Sequence, residues 1–142
     1  MIDGVLLTPL RHIPGPAGAV KHALKKSSPG YAGFGEAYFS EIDHGAIKSW
    51  RRHSRVTMNL VVVRGQVRFV LYDERADSAT CGQFDEVSVG ERNYARLTVP
   101  PGLWMGFQGE GPGTSLILDI IDDEHDPAEA ETRDLSAIAY AW

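Results

Sequence analysis

From Tyr31 onward the sequence predicts an all-β fold of sandwich or barrel type. Short runs rich in Val, Ile, Leu, Phe and Tyr follow one another, and clusters of Gly, Pro, Asp and Asn separate them. No internal repeat, low-complexity tract or linker interrupts the series, so a single domain over residues 1–142 is expected.

The elements follow in order. Residues 5–10 form an apolar run limited by Pro9, Pro14 and Pro16. Proline costs a ladder hydrogen bond, so this reads as an edge strand or one that crosses to a partner chain. Residues 17–26 place Val20, Ala23 and Leu24 at helical spacing, while Gly18 weakens a helix, leaving both readings open. Ser27-Ser-Pro-Gly30 is a turn by composition. Strands are predicted over residues 35–41, 46–53, 58–63, 66–72, 84–89, 95–99 and 116–121. Arg64-Gly65 marks a tight hairpin. Residues 73–82 form a longer polar loop, and Val99-Pro-Pro-Gly102 ends a strand in a turn. Beyond Ile121 six acidic residues fall between Asp122 and Glu131, read as a solvated loop and a short helix opening at Pro127. The aromatics Tyr140 and Trp142 are expected to cover a barrel edge or a subunit contact.

Composition narrows the function. With 43% hydrophobic and 23% charged residues and a net charge of −5, the chain is an ordinary globular sequence, and nucleic acid is not an expected partner. No run reaches the roughly 18 apolar residues of a spanning helix, so no membrane partner is expected. The lone Cys81 and the absence of a signal-peptide pattern at Met1 point to a cytoplasmic protein. Cys81 has no activating base nearby in sequence and reads as a bystander thiol. Gly33-Phe-Gly35 lacks the third glycine of a dinucleotide site, so no such cofactor is expected.

Chemistry concentrates in Gly45-Ala-Ile-Lys-Ser-Trp-Arg-Arg-His53. Strand alternation sets Ser49, Arg51 and His53 on one face and Lys48, Trp50 and Arg52 on the other. Pointed into a barrel, the first face offers an imidazole for proton transfer and a guanidinium for an oxyanion. Pointed outward, it is a basic patch. Gly45 and Gly65 also sit at the ends of the Gly-x5-His-x-His-x4-Glu-x6-Gly pattern of metal-binding cupins, where Arg51, His53 and Met58 occupy the three ligand positions. Met105 stands where the second cupin motif has its His. One ligand defines no metal site, so no metal is expected.

The run from Leu60 to Arg75, then Ser78-Ala-Thr-Cys-Gly82 and residues 97–107, resemble the RmlC-like cupins: dTDP-4-dehydrorhamnose 3,5-epimerases and dTDP-sugar 3,4-ketoisomerases. The likeness covers about residues 31–131; the second half is similar to the epimerases and the first half to the ketoisomerase spacing. It implies a cupin-type jelly roll, a homodimer and a nucleotide-sugar substrate, a dTDP-4-keto-6-deoxyhexose of deoxysugar biosynthesis. By that resemblance the shared base His falls on Arg51, the second ketoisomerase His on His53, and the epimerase carbonyl-binding Lys on Asn59. Asp123-Glu-His-Asp-Pro-Ala-Glu129 resembles the epimerase acid segment, with His125 in the Tyr position. The implied catalytic set is therefore His53, Arg51 and His125. Lys48, Ser49, Asn59, Arg64, Trp104 and Met105 are the implied substrate contacts. Proton abstraction beside a carbonyl is the expected chemistry; a non-catalytic sugar-nucleotide or small-molecule binding barrel is the alternative.

Overall fold

The computed structural model describes all residues, 1–142. Its strands are β1 (Leu6–Pro9), β2 (His12–Ile13), β3 (Val20–Lys21), β4 (Glu36–Asp43), β5 (Ile47–His53), β6 (Met58–Arg64), β7 (Gln66–Asp73), β8 (Phe84–Gly90), β9 (Ala95–Val99), β10 (Leu103–Gly109), β11 (Thr114–Ile121) and β12 (Ala130–Thr132). Two five-stranded antiparallel sheets, ordered β1-β9-β6-β11-β4 and β12-β5-β10-β7-β8, face each other as a cupin jelly roll. Their inward rows, including Met58, Leu60, Phe69, Leu71, Leu97 and Ile117, form one apolar core. No helix is long and apolar enough to cross a membrane.

The N-terminal segment departs from helical spacing. His12–Ile13 and Val20–Lys21 pair as a small hairpin instead of a helix over residues 17–26. His22 N–H, which a helix would direct to Gly18 O, donates to Arg11 O at 3.0 Å instead, and the buried Arg96 anchors the following chain by donating to Ala23 O at 2.8 Å and Pro29 O at 2.7 Å. The run at residues 5–10 becomes β1, an edge strand on β9 of its own chain. The motif Asp73-x-Arg75-x-x-Ser78-x-Thr80 locks the long loop. Fully buried Asp73 takes a two-pronged contact from Arg75 at 2.9 Å to each oxygen, and its Oδ2 also accepts from Ser78 at 2.6 Å and Thr80 at 2.7 Å. Arg75 also donates to Asp3 O at 2.7 Å, which ties the N-terminus to the loop.

Strand β10 was hidden in sequence by its glycines, and it carries an irregularity that matters for the site. Met105 pairs with Arg51, but Phe107 pairs with Lys48, so Ser49 and Trp50 together oppose Gly106. This is a β-bulge in β5. Arg51 and Lys48 both lie across from inward residues and share the interior face, whereas Ser49 and Trp50 share the outer one. A Cβ on Gly106 would sit 2.8 Å from both Ser49 Cβ and the Trp142 ring, which confirms Ser49 as outward. Alternation alone had set Ser49 inside and Lys48 outside; the bulge reverses both.

No helix opens at Pro127. Glu129 is drawn into the protein, Ala130–Thr132 adds an edge strand to β5, and the C-terminal segment has only a 3-10 turn at Leu135–Ala137. The tail then lies across the outer face of the second sheet. There Trp50 packs against Tyr140 and Trp142 at centroid distances of 6.3 and 5.3 Å. Gly106→Ala should displace the Trp142 ring. We expect a loss of about 1–3 kcal/mol in urea unfolding and a red-shifted tryptophan emission; unchanged emission would show that the ring does not depend on this gap.

Candidate active site

Between the sheets lies a cavity of about 320 Å³, within the range of roughly 300–1,000 Å³ common for small-molecule sites. Its apolar wall comes from Met58, Leu60, Phe69, Met105, Phe107 and Ile117. Its polar groups stand on opposite sheets: Lys48, Arg51 and His53 on β5, with Tyr38 on β4 and Asp119 on β11.

His53 is buried, and its Nδ1 lies 2.5 Å from Glu129 Oε1. The other Glu129 oxygen accepts from the backbone N–H groups of Ser54 at 2.6 Å, Arg55 at 2.9 Å and Val56 at 3.3 Å. Burial alone would raise this carboxyl. The bonds from His53 and from the Arg55 and Val56 amides outweigh it and hold Glu129 at about 2. An ionised carboxylate can only accept, so His53 must carry its proton on Nδ1. Its Nε2 has no hydrogen-bond partner within the chain and, in the neutral ring, presents a lone pair. That is the arrangement of an oriented general base.

Arg51, exposed at the cavity, forms no ion pair within the chain. Lys48 reaches Glu41 O at 2.7 Å along the same rim. Across the cavity, the Tyr38 hydroxyl donates to Asp119 Oδ2 at 2.8 Å. Burial, then the neighbouring Asp119 charge, keeps Tyr38 protonated well above the ordinary phenol range. Burial also raises Asp119 to about 6, against the opposing effects of the Tyr38 hydrogen bond and the Arg51 charge.

Of the residues picked out in sequence, the structure brings Lys48, Arg51, His53 and Met105 to the cavity. Ser49 borders it, but its side chain is turned outward by the bulge. His125 is exposed outside the cavity lining, with its backbone N–H bonded to Glu36 at 3.0 Å. The Arg51/His53/His125 cluster is therefore not assembled. Arg64 sits at the far end of β6, four residues or about 13 Å of strand beyond Leu60. Trp104 is fully buried on the outer face, where the Arg52 and Arg133 guanidinium groups lie 4.6 and 4.1 Å from its ring centroid. It fills an outer core and does not stack in the cavity.

Asn59 also faces away. Its Oδ1 accepts from Arg96 Nε at 3.0 Å and Thr98 Oγ1 at 2.7 Å, while Nδ2 donates to Gly30 O at 3.0 Å. Asn59→Ala should leave several buried groups unpaired and cost about 1–3 kcal/mol of stability with little effect on ligand affinity. A selective affinity loss in titration calorimetry would return Asn59 to the site.

Three site groups escaped sequence reasoning: Tyr38 and Asp119, which line the cavity, and Glu129, which stands behind His53. Asp119 was visible as a lone carboxylate inside the apolar run Leu116–Ile121. Glu129 was concealed within the acidic run, which is a largely exposed loop, as expected, from which Glu129 alone turns fully inward; Asp122 accepts from Thr57 N at 2.9 Å, and Asp123 and Asp126 pair with Arg55 at the surface.

The fold is that of a cupin, with His53 alone where metal-binding cupins carry a set of ligands. No model of a protein family matches the chain. A solved dTDP sugar isomerase from Desulfovibrio desulfuricans G20 is 38% identical, with a TM-score of 0.92; the alignment covers 96% of this chain and 87% of that one. A probable low-salt glycan biosynthesis epimerase of Haloferax volcanii is 31% identical over 97 residues, or 66% of this chain. That match spans 62% of the Haloferax protein's length. The spore coat polysaccharide biosynthesis protein SpsL of Bacillus subtilis is 27% identical over 100% of this chain and 97% of its own. The chain belongs to the RmlC-like family of dTDP-sugar isomerases and epimerases.

Proposed function

We propose that the protein is an isomerase or epimerase of a dTDP-4-keto-6-deoxyhexose that works by proton abstraction next to the carbonyl. The observation that carries this reading is His53, whose Nδ1 is held by buried, ionised Glu129 while Nε2 stays free beside a ligand-sized cavity. Nε2 takes the proton from the carbon adjacent to the carbonyl, the C–H electron pair forms the new C=C bond, and the C=O π pair moves onto the carbonyl oxygen. Arg51, permanently charged, holds the enolate. Tyr38, kept protonated on the facing sheet, returns a proton. Lys48 at the rim meets the diphosphate. No step needs a metal.

The dTDP sugar isomerase named for the Desulfovibrio structure supports this substrate class. A homodimer is part of the same reading. The outer face of the first sheet exposes Phe39 at 63% of its surface, an apolar side chain that a second copy packed on this face would cover. The free thiol of Cys81 supports a cytoplasmic setting.

The test is incubation with a dTDP-4-keto-6-deoxyhexose in D2O, following deuterium at C3 and C5 by NMR. Exchange at either carbon is expected. Binding without exchange would reduce the protein to a binding barrel.

A further inference from the structure

Four buried side-chain atoms have no hydrogen-bond partner: Gln66 Oε1, Arg68 Nε, Asp119 Oδ1 and Trp142 Nε1. Only Asp119 belongs to a residue lining the cavity. It lies in an inward row with Ile117 and Ile121, both core residues, and is itself 4% exposed. Its Oδ2 is occupied by Tyr38 at 2.8 Å, so Oδ1 is the oxygen left over.

A carboxylate oxygen in an apolar wall without a donor is costly, and native interiors rarely leave one so. A ligand donor can satisfy it. On a sugar nucleotide, the phosphates and the keto oxygen are acceptors, which a carboxylate repels; the donors are the hydroxyls and the thymine N3–H, and in a cavity where His53 and Arg51 face the keto sugar the donors at hand are the sugar's ring hydroxyls. The cationic groups Lys48 and Arg51 stand on the facing sheet, where they suit the acceptors. The two walls thus sort the two kinds of ligand group.

We infer that Asp119 Oδ1 accepts a hydrogen bond from a ring hydroxyl of the bound sugar, making Asp119, set in place by Tyr38, a specificity-determining residue. The inference rests on the sugar-nucleotide reading of the cavity and adds to it a demand for a hydroxyl at one ring carbon. The raised Asp119 value of about 6 leaves the group mostly ionised at neutral pH, which strengthens such a bond.

The test measures binding by calorimetry at neutral pH with four probes: dTDP, dTDP-6-deoxyglucose, and its 2-deoxy and 3-deoxy analogues. None carries the keto group, so turnover does not interfere. For the wild type, one deoxy analogue should bind about 10- to 100-fold more weakly than the parent, the range for a hydrogen bond to a charged group. For Asp119→Ala that gap should shrink below about threefold. Asp119→Asn, which keeps the shape, should fall between. Unchanged dTDP affinity in both variants confirms that the nucleotide end of the site is intact. If the variants discriminate between parent and analogue as the wild type does, or if the wild type does not discriminate at all, the role of Asp119 is overturned while the cavity keeps its ligand. If the wild type binds neither dTDP nor dTDP-6-deoxyglucose, the sugar-nucleotide reading falls first and this inference with it.

Discussion

His53→Ala should lower the rate of deuterium wash-in from D2O by about 10²- to 10⁴-fold, the usual contribution of a positioned general base. The loss should appear in kcat with KM for the dTDP-4-keto-6-deoxyhexose little changed, because Nε2 meets a C–H bond that contributes little to ground-state binding. His53 is the only imidazole lining the cavity; the neighbouring cations, Lys48 and Arg51, are hydrogen-bond donors with no acceptor lone pair to offer. Unfolding midpoints should be measured alongside, since removing the ring also strips Glu129 of one donor. An exchange rate that survives in a folded variant would move the base to the Tyr38–Asp119 wall.

Glu129→Gln carries the second large effect, on stability and on its pH dependence together. In the native protein this carboxyl sits at about 2 against an ordinary 4.5, a difference equivalent to about 3 kcal/mol. Because the native value is the lower one, the unfolded chain takes up the proton more readily. The stabilisation is therefore complete above about 4.5 and disappears as pH falls towards 2. Urea unfolding of the wild type should weaken steeply across that window. The Gln variant should start lower at pH 7 by about 2–4 kcal/mol and show a flatter acid limb. Parallel acid limbs would mean that other carboxylates carry the dependence. The same substitution should also blunt exchange, since Gln can turn either end of its amide to Nδ1 and no longer imposes one tautomer.

Much of the architecture was legible because β4 to β9 and β11 announce themselves by short apolar runs between turn residues, and the observed strands begin and end within a few residues of the expected ones. The features that escaped have definable physical causes. A bulge leaves no trace in a period-of-two pattern, so Lys48 and Ser49 exchanged faces. Helical spacing over residues 17–26 was overridden by hairpin pairing with residues 11–13, which takes the His22 N–H to Arg11 O. The acidic run had the composition of a solvated loop, yet Glu129 folds inward because four donors at His53, Ser54, Arg55 and Val56 converge on it. Part of the family-like sequence, from Asp73 to Gly82, proves to be a structural lock on a loop, outside the cavity lining. Motif strength and chemical role are different properties. The more telling signal for the site was a mismatch, a single Asp amid the leucines and isoleucines of β11.

The bulge at Ser49 and Trp50 has an effect on how this strand can vary in length. Lys48 and Arg51 are opposite inward residues on either side of it, so removing Ser49 would leave a regular ladder in which both still face the interior. One residue can therefore be gained or lost at this joint while the base strand keeps its contents. When chains of this kind are compared, a single-residue gap in β5 belongs at position 49, and one placed nearer His53 would misassign the residues that face the ligand.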